Sequence, residues 1–363
     1  FNFDLIIVDE ASQVPTDQIL ASFQYLTRGQ VSLALSNPLL TVISNKTEVE
    51  DLRLTLLPSI PPPELTQVVI VGDYNQLPPV QPIPPPRRFI PVLESLFSYY
   101  VKYHRISNIQ LDINYRSHQD IVDFTKMLGI YRTLTSNPTN AARMLPITTS
   151  SVKDKWLQQM LDPNKVVMSI VHKRPYDMGV SPLEAHIVVS IVIQYFKLRV
   201  PATAMDEQKF WEEQIGIVSP HNAQGRTIIQ HIYNILTANN LTKLPPQELM
   251  GCLKRTIYSV EKFQGSDRDL IIATIAVTDK DQLEGEESFI YDINRFNVLT
   301  SRAKSKVILV CGEQYLNYIP RDQEIMDYAA RIRKYTYNFC THSSPISVPN
   351  ENGVLEKIEI RWH

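Results

Sequence analysis

Short, continuously apolar runs alternate with longer segments in which apolar positions recur every three or four residues. Leu5–Val8, Val68–Val71, Val166–Val171, Ile215–Val218, Leu270–Ala276 and Val307–Val310 have no polar face, the pattern of strands buried on both sides of a parallel sheet. Helical periodicity predicts helices over Asp17–Tyr25, Pro91–Lys102, Gln119–Leu128, Leu183–Lys197, Ala223–Ala238, Arg295–Ala303 and Asp322–Tyr335. Strands followed by helices make crossover units, so the predicted fold class is α/β with parallel sheets.

Two proline concentrations, Pro58–Pro63 and Pro78–Pro86, are stiff extended connections. Residues 27–66 are expected to be a surface insertion between the first two strands. The pattern divides the chain into a first domain over 1–108, a second over 109–318 and a C-terminal extension over 319–363. The extension begins helically and ends in a strand-like tip, Leu355–Trp362.

Composition narrows the function classes. The chain has 363 residues, 44% of them hydrophobic, enough for two folded cores. Its apolar runs fall far short of the roughly 20 residues that cross a bilayer, so no membrane partner is expected. A net charge of −2 means that any nucleic-acid surface must be local. Cys252, Cys311 and Cys340 form no C-x-x-C pair, which speaks against a zinc site or a disulfide framework and for a reducing, intracellular setting. Only 11 glycines are present; none precedes a lysine and no two are separated by a single residue. A Gly-Lys-Ser/Thr phosphate loop and a G-x-G-x-x-G fingerprint are therefore absent from this sequence.

Candidate chemistry sits at the strand ends. The first strand runs into Asp9-Glu10-Ala11-Ser12-Gln13, where ligands bind in open α/β sheets. In a nucleotide hydrolase Asp9 would hold a Mg²⁺ ion through its water shell and Glu10 would orient or deprotonate the attacking water; the plain alternative is a solvated strand end. The second strand ends in Gly72-Asp73-Tyr74-Asn75-Gln76. Gly72 is expected to permit an unusual backbone turn, and the Gln76 amide can accept from a water and donate to a phosphate oxygen.

These two strings resemble motifs II and III of superfamily 1 helicases, in particular the branch of the nonsense-mediated-decay helicase and senataxin. Further strings follow in the family's order. Leu111-Asp112-Ile113-Asn114-Tyr115-Arg116-Ser117-His118 resembles the Gln-Tyr-Arg-Met-His motif, with asparagine for glutamine and serine for methionine. Ile215–Gln224 is similar to the strand that ends in a Thr-Pro-Tyr-x-x-Gln turn. Ser259–Ile272 resembles motif V, with Asp267 where a glutamate is usual. Arg295–Lys304 resembles motif VI, reading Asn-Val-Leu-Thr-Ser-Arg where most relatives have Asn-Val-Ala-Leu-Thr-Arg, so Arg302 keeps its spacing from Asn297.

The resemblance implies two RecA-like domains of a P-loop NTPase helicase core, the first expected to be incomplete at its N-terminus, with ATP and Mg²⁺ as cofactors and single-stranded DNA or RNA as partner. Glu10, Gln76, Arg116 and Arg302 would be catalytic, the two arginines placing guanidinium groups against the γ-phosphate. Asp9, Tyr115, Gln264, Gly265 and Asp267 would bind the nucleotide and its metal: Tyr115 packing on adenine, Gly265 allowing close backbone approach, Asp267 accepting from the ribose. Ser219, Pro220, His221 and Asn222 would contact the sugar-phosphate backbone, and Thr300 is placed on the same path. Surface ion pairs for the arginines, a core position for Tyr115 and helix packing for Thr300 are the structural alternatives.

Only eight residues precede Asp9, whereas the family's phosphate loop lies upstream of that strand. The expectation is that the chain is the C-terminal portion of a longer helicase, moving 5′ to 3′ when complete, inactive without a Walker A segment supplied by the same or a separate chain. A non-catalytic nucleic-acid or protein-binding module derived from a helicase is the alternative from another class.

Overall fold

The first two apolar runs pair as expected: β1 (Leu5–Val8) lies parallel to β2 (Gln67–Ile70), from Leu5 opposite Gln67 to Val8 opposite Ile70. The computed structural model describes residues 5–16, 18–19, 67–73, 75–79, 87–89, 93–103, 105, 109–199, 201–258, 260 and 267–363. They belong to two units, Phe1–Ile109 and Gln110–His363. The insertion over 27–66 and most of the helix expected at Asp17–Tyr25 lie outside the described residues.

In the first unit, Val8, Ala11 and Ile19 pack with Leu96, Phe97, Tyr99 and Tyr100. A helical turn over Leu96–Ser98, capped by Ser95 Oγ accepting from Ser98 N at 3.1 Å, continues into wider turns over Tyr99–Tyr103. Gly72 sits beneath this segment. A Cβ there would come within 2.9 Å of Phe97 Cδ2 and of Ser12 N, while its φ is not positive. The expected unusual turn is thus corrected: glycine is required for close approach, because any side chain would drive the strand end off the helix.

The second unit is built on a seven-stranded sheet among the described residues. Besides a small parallel pair, β3 (Ile113–Asn114) with β4 (Thr135–Ser136), its strands are β5 (Val167–His172), β6 (Ile215–Val218), β7 (Ile257–Tyr258), β8 (Arg268–Thr274), β9 (Ala303–Gly312), β10 (His342–Pro349) and β11 (Leu355–Trp362). Spatial order is β10-β11-β5-β9-β8-β6-β7. The five strands β5, β9, β8, β6 and β7 are parallel; β11 is antiparallel to β5 and to β10. The C-terminal tip is therefore half of a hairpin that extends the main sheet.

Helices cover the faces: α1 (Gln119–Met127), α2 (Pro182–Arg199), α3 (Asn222–Ala238), α4 (Pro246–Thr256), α5 (Ile293–Ser301) and α6 (Gln323–Lys334). α2 is apolar nearly all round and is buried accordingly. α3 buries Gln224, Ile228, Ile232 and Leu236, one stripe at four-residue steps. No described helix is long and apolar enough to cross a membrane.

Chain order explains where a ligand belongs. β5 and β6 are consecutive through α2, yet β9 and β8 lie between them. The loops leaving β5, β6, β8 and β9 all emerge at the carboxyl edge, the place where open parallel sheets hold their ligands.

Candidate nucleotide and nucleic-acid sites

The motif segments of the first unit assemble at the ends of β1 and β2. Ala11 N donates to Val71 O at 2.8 Å, and Asp73 N donates to Ser12 Oγ at 3.3 Å, so the two strand ends are held side by side. Asp9 and Glu10 are exposed. Glu10 N donates to Asp9 Oδ1 at 2.8 Å, and Gln13 Nε2 donates to Glu10 Oε2 at 2.7 Å. Glu10 has φ of 52°, a left-handed conformation that costs a non-glycine residue about 1–2 kcal/mol. Gln76 Nε2 donates to Asp73 Oδ2 at 2.9 Å. Asp9 is one exposed carboxylate at a strand end, which suits Mg²⁺: that ion keeps several waters and takes one or two carboxylates with substrate phosphates. No group of three or more metal-ligating side chains exists among the described residues.

In the second unit, Asn114 Oδ1 accepts from Arg116 N at 2.7 Å and Ser117 N at 2.9 Å, forming the bend that turns β3 into α1. Ser117 Oγ donates to Ala303 O at 2.7 Å and His118 N donates to Lys304 O at 2.8 Å. These bonds bring the Arg116 and Arg302 segments together although 186 positions separate Ser117 from Ala303. Tyr115 is 70% exposed, so it is not a core tyrosine.

Arg116 Nε lies 3.3 Å from Asp267 Oδ2, and Lys304 Nζ lies 2.9 Å from Asp267 Oδ1. Burial raises the Asp267 carboxyl, but Lys304 and Arg116 outweigh it and hold it below the usual carboxylate range. Asp267 is thus a bridge between two cations rather than an open acceptor, and Lys304 is a residue that motif matching passed over. Arg302 is buried, with 3% exposure, and its carbonyl accepts from Arg268 N at 3.0 Å. Gln264 and Gly265 lie outside the described residues.

Thr300 is fully buried and its hydroxyl donates to Phe296 O, 2.9 Å away inside α5, the helix-packing arrangement that the sequence left open beside a place on the nucleic-acid path. A threonine hydroxyl bonded within its own helix has no donor left to offer outside it.

The turn after β6 is graded. Ser219 and Pro220 are buried, His221 is half-buried and Asn222 is exposed at the start of α3. Ser219 Oγ accepts from His221 N at 3.3 Å. The His221 ring packs on Gly179, where a Cβ would come within 3.2 Å, and its Nε2 lies 3.4 Å from Glu286 Oε2. Burial lowers the affinity of this imidazole for a proton, with Glu286 and Glu184 opposing.

A buried polar network, unmarked by any motif but for Gln224, supports that turn. Glu184, with no exposed surface, pairs with His172 Nε2 at 3.0 Å and accepts from Thr274 Oγ1 at 2.5 Å and Ala276 N at 3.1 Å. Gln224 Oε1 accepts from Ser181 N at 3.0 Å, and its Nε2 donates to Ser181 O and Thr274 Oγ1, both at 3.3 Å. The sequence signal was present: Glu184 is the one carboxylate inside an otherwise apolar helical run.

Residues 92–314 match the AAA domain family. The chain is 27% identical over 262 residues to the DNA replication ATP-dependent helicase/nuclease JHS1 of Arabidopsis thaliana, covering 69% of this chain and 17% of that protein. It is 23% identical over 358 residues to the DNA replication ATP-dependent helicase/nuclease DNA2 of Saccharomyces cerevisiae, covering 93% and 19%. It is 26% identical over 262 residues to the ATP-dependent helicase upf1 of Schizosaccharomyces pombe, covering 69% and 24%. The chain thus spans about a fifth of the length of these relatives. The solved structure of the PRRSV helicase aligns over 85% of this chain and 40% of that chain, with 12% identity and a TM-score of 0.31. By its family match, its motif order and these relatives, the chain belongs to the AAA domain family and to the superfamily 1 helicases of the branch that includes DNA2 and upf1.

Proposed function

We propose that the protein carrying this chain hydrolyses ATP and uses it to move 5′ to 3′ along single-stranded DNA or RNA. The observation that supports this best is the pairing of the Asp9-Glu10 and Asp73–Gln76 segments at adjacent strand ends, with both acids exposed.

Each group has a role that its surroundings suit. Glu10 orients and deprotonates the attacking water, and Gln13 fixes one of its oxygens so that the other faces the water. Asp9 would hold Mg²⁺ through its water shell, and the ion would supply positive charge against the phosphates of the nucleotide. Gln76 reports the γ-phosphate by hydrogen bonding. Arg116 and Arg302 stabilise charge in phosphoryl transfer, and the Asp267 bridge keeps the Arg116 guanidinium in one place before nucleotide arrives. Tyr115, exposed on a fixed bend, offers a face for adenine.

The nucleic-acid backbone binds at Ser219–Asn222. Helix α3 starts there with no acidic residue in its first turn and no side-chain cap from His221. The first N–H groups of a long helix form an anion site of the kind that phosphates occupy.

Steady-state hydrolysis by the full-length protein, with and without poly(dT) or poly(U), tests the reading. We expect polymer-stimulated ATP hydrolysis, reduced about 10²–10⁴-fold by Glu10→Gln and by about 10³ or more by Arg116→Ala, with oligonucleotide binding retained. Hydrolysis that survives Glu10→Gln within a factor of about three rejects it. Binding without any wild-type hydrolysis points instead to a non-catalytic binding module.

A further inference from the structure

The loop 173–181, between β5 and α2, presents an aromatic ring in an unusual way. Tyr176 is 79% exposed and has φ of 67°, a conformation that disfavours side chains. Met178 beside it is 61% exposed. Large apolar side chains ordinarily gain stability by burial, so a strained backbone that turns an aromatic ring outward needs another reason.

The loop is nonetheless firmly anchored on both sides of that ring. Arg174 makes a two-bond pair with Glu351, at 3.0 and 2.7 Å, and its backbone N donates to His172 Nδ1 at 3.2 Å. Asp177 N donates to Thr278 Oγ1 at 2.9 Å, while Asp177 O accepts from Thr278 N and Asp279 N at 2.9 and 3.1 Å. Met178 bridges Val277, and Gly179 N donates to Ala276 O at 2.9 Å. Ala276 also has a positive φ, 59°, held by the Glu184 carboxylate. Gly179, three residues past the tyrosine, lies against the His221 ring, so the loop abuts the turn at Ser219–Asn222.

We infer that Tyr176 is a stacking platform for a base of single-stranded nucleic acid whose phosphates lie at the Ser219–Asn222 turn. This rests on the proposed function and supplies the aromatic that the sequence motifs do not identify. A backbone already anchored on both sides of the ring has little further ordering to undergo on stacking, and every base has a face to offer, so the contact is tolerant of sequence.

The test uses the full-length protein and a fluorescein-labelled dT oligonucleotide, followed by anisotropy. Tyr176→Ala weakens binding about 10–100-fold, the span expected for one lost base stack, whereas Tyr176→Phe and Tyr176→Trp stay near wild type. Tyr176→Gly gives the cleanest separation from a structural role. Glycine relieves the backbone, so the variant unfolds at the same or higher urea concentration while it still loses affinity. A 2-aminopurine base in the strand is quenched by wild type and not by Tyr176→Ala. On a strand with abasic sites throughout, wild type and Tyr176→Ala bind equally. Affinity of Tyr176→Gly within twofold of wild type on dT, or an undiminished Tyr176→Ala defect on the abasic strand, overturns the inference. A wild-type protein that binds no single strand removes the proposed function itself, a different result.

Discussion

Replacing Glu184 by alanine is expected to cost the second unit about 4 kcal/mol. The carboxylate is wholly buried and satisfies three donors: His172 Nε2, Thr274 Oγ1 and Ala276 N. Thr274 and Ala276 are fully buried and His172 is 1% exposed, so water cannot replace the lost acceptor. Each stranded buried donor costs about 1–3 kcal/mol, so losing the acceptor of three puts the loss at about 3 kcal/mol or more. About 4 kcal/mol is a quarter or more of the roughly 5–15 kcal/mol that stabilises a typical domain. Glu184→Gln keeps the volume and one acceptor oxygen, so about half of the loss is expected.

Urea unfolding at pH 7, followed by tryptophan fluorescence, measures this. Trp156, Trp211 and Trp362 all lie in the second unit, so the signal reports that unit alone. His172→Ala provides the second edge of a cycle, and the 3.0 Å pair should give a coupling of about 1 kcal/mol or more. A Glu184→Ala loss below about 1 kcal/mol, or strict additivity with His172→Ala, refutes the network as the support of the Ala276 and Ser219 turns.

Gly312→Ala should destabilise the same unit by about 1–3 kcal/mol, because its Cβ would overlap Thr278 Cγ2; Thr278→Ser, which removes that methyl, should restore most of the loss in the same urea measurement. Asp177 has its carboxyl pushed up to about 6, first by burial and then by Glu184, against the Ser181 hydrogen bond, His172 and Arg174. The folded state therefore keeps a proton that the unfolded chain releases near pH 4, so stability falls as pH rises from about 4 to 6. Asp177→Asn should flatten that stretch of the stability profile and be more stable than wild type above pH 6; superimposable profiles would contradict the assignment.

Much of the second unit was legible because its strands are buried on both faces. β5, β6, β8 and β9 have no polar alternation to confuse with a surface strand, and the structure places them within a few residues of the apolar runs. The helices with a clear stripe, α1, α3 and α6, were legible for a similar reason. What failed to show was short or depended on a distant partner. The helical segments Lys155–Met160 and Ala204–Lys209 are six residues each, less than two turns of period, and α4 carries its buried Leu249, Cys252 and Leu253 over 11 residues. β10 alternates around Pro345 and Pro349 and is a strand only because β11 pairs with it.

Local sequence alone determined the parallel α/β class, the placement of acids and amides at strand ends, and the family, since each depends on residues close together along the chain. Tertiary structure decided what those side chains meet. It made Gly72 a close-packing position, turned Asp267 into a bridge between Arg116 and Lys304, and buried Thr300 within its helix. It also joined His172, Glu184 and Thr274 beneath the Ser219 turn. The physical reason is that hydrophobic periodicity is written over a few residues, whereas the ion pair of Arg116 with Asp267 and the bond of Glu184 with Thr274 join residues 151 and 90 positions apart, which only the folded sheet order brings within reach.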